Sequence, residues 1–190
     1  MNIKEPNTQT DGELVSRALH NKQEFAEIVN RYQEPLRRYL FRLGCKDSND
    51  VEDMLQNVFI KIYINLNDYD SSLKFSSWLY RITHNEAIDL FRKNKVQPVF
   101  LHHEDIQQIF ENIADDIDIT ESIHRKQNQE MISKSLLKLD NPYRDVLVLR
   151  FLEEKSYDEI SDILKIPSGT VATVINRGKK LLKKMLGSKL

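Results

Sequence analysis

Hydrophobic residues in this chain recur every three or four positions, and no alternating run is long enough to make a strand, which restricts the fold to packed helices. Five Gly and five Pro in 190 residues are too few for a turn-rich β protein. Leu, Ile, Lys, Glu and Gln fill the remaining positions with residues that favour helix. A chain of this length holds one ordinary domain or two small ones, so the expected class is all-α.

The segments follow one another with recognisable starts and stops. Thr10 and Asp11 open a helix with Glu13 in capping-box spacing, and Leu14, Val15, Ala18 and Leu19 give it a short apolar face. A second helix spans about Lys22 to Leu43; Pro35 predicts a kink or break inside it, and Gly44 its end. Ser48, Asn49 and Asp50 read as a third start, with Glu52 placed to reach back to the cap. Val51, Met54, Leu55, Val58, Phe59, Ile62 and Leu66 form its buried stripe. Off that stripe lie Asp50, Glu52, Asp53, Gln56, Asn57 and Lys61. Spacing alone favours dipole pairing and solubility for this acidic face over a docking surface.

A polar loop, Asn67 to Lys74, leads into FSSWLYRITHNEAIDLFRKNK, residues 75 to 95, which contains neither glycine nor proline. Ser76 and Ser77 supply candidate N-cap oxygens. Arg81, Asn85, Asp89 and Arg92 fall off the apolar face, and Arg92, Lys93 and Lys95 crowd the C-terminal end, where cations suit the dipole and can also meet phosphates. Trp78 is expected in the core. Tyr69 and Phe75, beside the loop, are the better candidates for stacking on unpaired bases.

Charge is segregated although the formal net charge is only −1. No Lys or Arg occurs between Lys95 and Arg125, and no Asp or Glu after Asp162. The acidic stretch from Val96 to Ser122 reads as a linker, with a short helix at about Ile106 to Ile113. Beyond about His124 the helical period resumes. Tyr143 to Phe151 forms one helix, Ser156 to Lys165 another with Glu159 in capping-box register, and Thr170 to Leu186 a longer one after a brief turn. The last two have helix-turn-helix spacing. In the final helix Val171, Val174, Ile175, Leu181, Leu182 and Met185 are expected to face the core. Thr170, Ala172, Thr173, Asn176, Arg177, Lys179 and Lys180 are left outward, and the absence of acids there favours contact with DNA over a merely solvated face.

Chemistry of other kinds has little support. Cys45 stands alone, the five histidines lack metal-ligand spacing, and no phosphate loop or nucleophile elbow occurs, so no enzyme activity, cofactor or metal site is expected. With no signal-peptide pattern and no apolar run long enough for a bilayer, a cytoplasmic location without membrane insertion is expected.

Three motifs in order, DVEDMLQNVFIKIY (50–63), the 75–95 stretch, and SYDEISDILKIPSGTVATVINRGKKLLKKML (156–186), resemble the extracytoplasmic-function (ECF) type of RNA polymerase sigma factor in the sigma-70 family. The resemblance implies two small helical domains, a sigma-2-like bundle at 10–95 and a sigma-4-like helix-turn-helix at 124–187, joined by the acidic linker at 96–123. It implies that Asp50, Asp53, Gln56 and Phe59 dock on the clamp of the polymerase β′ subunit, which reverses the preference drawn from spacing. It places Tyr69, Ser71, Lys74, Phe75, Asn85, Asp89, Arg92 and Lys93 at the −10 promoter element, with the loop holding an extruded base. Thr170, Thr173, Asn176, Arg177, Lys179 and Lys180 would read the −35 element. Core polymerase, promoter DNA and an anti-sigma factor are the implied partners; a free-standing helix-turn-helix regulator acting without polymerase is the alternative. Where the family commonly carries GTVKSRLHRAR, this chain has GTVATVINRGK (169–179), so Ala172 and Val174 replace basic residues and Gly178 is expected to interrupt the helix.

Overall fold

The computed structural model describes residues 9–45, 47–94, 105 and 139–187, and among them every regular element is a helix. In chain order these are α1 (Asp11–His20), a 3-10 turn (Lys22–Glu24), α2 (Phe25–Leu43), α3 (Ser48–Ile64), a second 3-10 turn (Leu66–Asp68), α4 (Phe75–Asn94), α5 (Asn141–Phe151), α6 (Tyr157–Leu164) and α7 (Ser168–Gly187). The expected linker helix at 106–113 and the start of the C-terminal unit at 124–138 lie outside the described residues.

Local signals set several ends. Thr10 with Glu13, and Ser156 with Glu159, form complete capping boxes, each satisfying two backbone donors that a helix start leaves open. Gly44 ends α2 in a left-handed conformation at φ 110°, where a side chain would be strained. The third helix starts differently from the expectation: Asp47 is the cap, accepting from the Asn49 and Asp50 amides, and Ser48 is already helical. Glu52 does not reach back; it meets Arg37 of α2 at 2.8 Å. Ser76 and Ser77 likewise lie within the first turn of α4.

Pro35 does not break α2, which runs unbroken through it. Proline removes one helical hydrogen bond, a cost of about 3 kcal/mol in an isolated helix. Here Tyr32, Leu36, Tyr39 and Leu40 around it are all buried, and that packing holds the helix together.

The N-terminal core is built by α1 to α4, with Leu14, Ile28, Leu36, Leu40, Val51, Val58, Ile62 and Leu79 fully buried. Trp78 is buried as a core aromatic. The C-terminal core is built by α5 to α7 around Val146, Leu149, Ile160, Val171 and Ile175. The two units touch. α6 packs along α4, and α5 approaches α2.

Polar groups are enclosed where the units meet. The Tyr39 hydroxyl lies 3.1 Å from His84 Nδ1, and His84 Nε2 lies 3.7 Å from Asp145 Oδ2. Burial pushes the Asp145 carboxyl up to about 7 even with Arg144 beside it, and burial holds the His84 imidazole down to about 4. Asp145 binds a proton in the packed state that it has lost in the unfolded chain, so its contribution weakens as pH rises from 3.8 to about 7. His84 does the reverse between about 4 and 6.5, so its contribution strengthens with pH across that window. The slopes oppose one another, and this pair should contribute little net pH dependence in their shared window. Asp145→Asn should leave a Tm that rises relative to wild type from pH 4.5 to 6.5, and His84→Gln one that falls. Parallel Tm–pH curves for the three proteins would refute the pairing.

Candidate promoter and polymerase interface

α7 is the better defined of the two candidate DNA surfaces. The Pro167 carbonyl accepts from the Thr170 and Val171 amides, so α7 begins two residues before the expected Thr170. Val171, Ile175 and Leu182 are buried, which turns Thr170, Thr173, Asn176, Arg177 and Lys180 to solvent. Lys179 departs from the expected outward set: it is half-buried, with its ammonium 5.3 Å above the Phe151 ring.

Gly178 does not interrupt α7. It is buried, and a Cβ built there would come within 3.3 Å of Leu147 Cδ1 and 3.5 Å of Tyr143 Cβ. The missing side chain is what lets α5 and α7 approach closely behind the exposed donor row. Gly178→Leu should therefore overpack this contact and destabilise the C-terminal unit by about 1–3 kcal/mol, despite leucine's better helix propensity. Chemical denaturation checks it; an unchanged midpoint would show that α5 can yield.

At the other end, the loop before α4 folds back on itself. The Tyr69 hydroxyl donates to the Leu73 carbonyl at 2.6 Å, and the Ser72 amide donates to Asp70 Oδ1 at 2.9 Å. Beside it opens a cleft of about 550 Å³, lined by Tyr69, Ser71, Leu73, Lys74, Phe75 and Ser76 from the loop side and by Asp11, Gly12, Val15, Ser16 and Leu19 from α1. That volume falls within the roughly 300–1,000 Å³ of ordinary small-molecule sites. Asp11 faces the cleft as a held carboxylate: Arg31 donates to it at 2.9 Å and the Tyr32 hydroxyl at 2.6 Å. The contribution of α1 was not legible in the sequence, where Asp11 reads only as part of a helix start.

Phe75 differs from the expectation of a free stacking face. It is 2% exposed, wedged against Tyr69 at 5.1 Å, Tyr32 at 5.8 Å and Trp78 at 5.8 Å between ring centroids. Its ring forms the back wall of the cleft, and Tyr69, half-buried in front of it, is the accessible aromatic. Ser71 and Lys74 are exposed, and the Lys74 ammonium lies 3.4 Å from Glu159 of α6. Further along α4, Asn85, Asp89, Arg92 and Lys93 are exposed, with Arg92 donating to Asp89 at 3.3 Å. An ion pair this open is worth little to stability.

On α3, Val51, Met54, Leu55, Val58 and Ile62 turn inward and leave Asp50, Asp53 and Gln56 exposed, with Phe59 half-buried against the core. Ile60 and Ile64, 56% and 66% exposed, continue the line of Gln56 at successive i+4 steps. The sequence reading passed over them, although their spacing from Gln56 was the available signal. No helix among the described residues is long and apolar enough to cross a membrane.

Comparison with known proteins bears on both halves. The family model for sigma-70 region 2 matches residues 28–96, and that for sigma-70 region 4 matches residues 129–182. The chain is 35% identical over 166 residues to the ECF RNA polymerase sigma factor SigW of Bacillus subtilis, covering 85% of this chain and 88% of that protein. It is 31% identical over 157 residues to SigM of the same organism, covering 83% and 91%. Among solved structures, CnrH in complex with the cytosolic domain of CnrY shares the fold at a TM-score of 0.67 and 24% identity, covering 95% of this chain and 99% of that one. The sigma factor RpoE in complex with the anti-sigma factor NepR from Bartonella quintana does so at 0.59 and 20%, covering 87% and 98%.

Proposed function

Because the chain belongs to the sigma-70 family, as an ECF-type RNA polymerase sigma factor, we propose a division of its surfaces among polymerase and two promoter elements. The exposed side of α3, with Asp50, Asp53, Gln56 and Phe59, docks on the clamp of the polymerase β′ subunit. The cleft beside Tyr69, Ser71 and Lys74 receives a base extruded from the −10 element, Phe75 closes the cleft from behind, and Asn85, Asp89, Arg92 and Lys93 follow the adjoining strand. Thr170, Thr173, Asn176, Arg177 and Lys180 read the −35 element, while Lys179 approaches phosphate from its place over Phe151. The working units are residues 10–95 and 124–187, and 96–123 is the connection between them.

The observation that carries this reading is the row of exposed donors on α7, on a helix-turn-helix and in a stretch free of carboxylates. Asn and Arg side chains there can each make two hydrogen bonds to a purine edge. The physics of opening also fits. Unstacking a base costs a few kcal/mol, and a cleft with an aromatic wall can offset that cost. The protein itself performs no bond chemistry in this scheme; it selects where polymerase starts. It acts in the cytoplasm with polymerase, and an anti-sigma factor holds it inactive until needed, by analogy with the RpoE–NepR complex.

The test is a pull-down with bacterial core polymerase followed by transcription from genomic fragments. Protein-dependent transcripts from a discrete set of start sites are expected. Tight, sequence-specific duplex binding without polymerase, and no transcript with it, would instead favour the free-standing regulator.

A further inference from the structure

Among the described residues that line the cleft beside the 69–76 loop, Asp11 alone is acidic. Two residues of α2 fix it: Arg31 donates to its Oδ1 at 2.9 Å and the Tyr32 hydroxyl to its Oδ2 at 2.6 Å. These bonds leave the Asp11 side chain 34% exposed. The two oxygens of a carboxylate offer about four lone-pair sites, and one donor on each leaves acceptor capacity for a ligand. Gly12 adds no side chain to the same wall, and a Cβ built there would meet nothing within 4 Å, so the cleft is open beside the carboxylate. Burial first, and the Asp11 charge after it, push the Tyr69 phenol up, which puts that charge close to the accessible ring.

A carboxylate only accepts hydrogen bonds, so it distinguishes bases by what they place opposite it. Cytosine carries an amino group at N4 and adenine one at N6, whereas thymine carries the O4 carbonyl and guanine the O6 carbonyl at the equivalent position. An amino group there makes a charge-assisted bond, stronger than a neutral one. A carbonyl instead faces the carboxylate acceptor against acceptor. With the buried Phe75 ring behind the site, water cannot reach that contact from all sides, and an enclosed acceptor without a donor is costly. The Arg31 guanidinium balances the Asp11 charge, so the wall is not a bare negative charge beside the phosphates that carry the base.

We propose that Asp11 is a specificity-determining residue of the cleft: it accepts from the exocyclic amino group of the extruded base and so selects cytosine or adenine over thymine or guanine. Arg31 and Tyr32 are its positioning residues. The proposal rests on the reading above that the cleft receives an extruded base, and it adds to the loop a group supplied by α1. A site built around such a bond rejects a base that lacks the amino group, because the carboxylate is then left unpaired on that side.

The experiment measures the Kd, at fixed salt, of the full chain with core polymerase on a promoter recovered from the transcription test and premelted by mismatches across the −10 element. Premelting removes pairing from the comparison, so a base analogue differs only in its contact with protein. The extruded position is the one at which an abasic site weakens the wild-type complex but not that of a protein lacking Ser71 and Ser72. Its natural base is expected to be cytosine or adenine. Removing only the amino group, with 2-pyrimidinone for cytosine or purine for adenine, should weaken the complex roughly tenfold. Asp11→Asn keeps Thr10 as the helix cap, gives its carbonyl to Arg31 and presents donors to the cleft, so the ratio between base and analogue should fall to about one. Tyr32→Phe keeps the carboxylate and the ring packed against Phe75, should lower the ratio by less, and guards against misfolding of the first variant. The same bonds tie α1 to α2, but a purely structural role would weaken binding of base and analogue alike and leave their ratio unchanged. Thymine or guanine at the extruded position, equal affinity of the wild type for base and analogue, or an unchanged ratio in both variants would each overturn the assignment. Failure of the underlying reading shows differently, as no position at which the abasic effect depends on the loop.

Discussion

Asp53→Arg is expected to abolish capture of core polymerase, a loss of at least about a hundredfold in affinity, while the protein stays folded. Asp53 is exposed on α3, away from the buried stripe of Val51, Met54, Leu55 and Val58. A surface substitution there shifts stability by about 0.5 kcal/mol or less. In the proposed complex the same change replaces an attractive charge by a repulsive one at a desolvated contact, where removing one partner of a buried charge pair already costs about 2–5 kcal/mol because the other charge is left unpaired. Gln56, one turn away, and the exposed Ile60 and Ile64 beyond it would supply the remaining contact area. The measurement is co-migration with core polymerase, alongside circular dichroism and a denaturation curve. Normal co-migration of a folded variant would remove Asp53 from the interface.

The second large effect concerns the loop before α4. Deleting Ser71 and Ser72 should sharply reduce melting of a fully paired −10 element and leave −35 binding through α7 intact. The Tyr69 hydroxyl is tied to the Leu73 carbonyl and Asp70 to the Ser72 amide, so the deletion removes the frame that shapes the cleft. Extruding a paired base costs a few kcal/mol, and the loss of its receptor should reduce opening by about ten- to a hundredfold. A mismatch at the extruded position removes most of that cost in advance, so the shortened protein should recover opening on a pre-mismatched promoter. Permanganate reactivity of −10 thymines in polymerase complexes reads this directly. Equal reactivity with both proteins on the paired promoter would take the cleft out of the mechanism.

What was legible in the sequence was local. The capping boxes at Thr10 and Ser156 depend on residues three apart, and each formed as its spacing required. The buried stripe of α3 and the exposed donors of α7 follow from a 3.6-residue period, which assigns faces without knowing the partner. The start of α3, read at Ser48 to Asp50, lies one residue earlier: Asp47 is the cap, because backbone geometry decides which of two neighbouring side-chain oxygens meets the first amides. Pro35 and Gly178 both read as breaks because their intrinsic propensities are poor. Packing overrode both: buried neighbours hold α2 through Pro35, and the close approach of Leu147 gives Gly178 its place.

The helical class, the two-part organisation and the family were determined by the sequence itself, because each rests on periodicity and on short motifs whose residues are neighbours along the chain. Only the tertiary structure brought α1 against the 69–76 loop to make a cleft, turned Phe75 into its wall and drew Lys179 over Phe151. It alone joined Arg42 to Glu153, 111 residues away. Such contacts depend on which faces meet when helices pack, and the enclosure of Tyr80, Asp145 and Glu153 between two units has no counterpart in the order of residues along one of them.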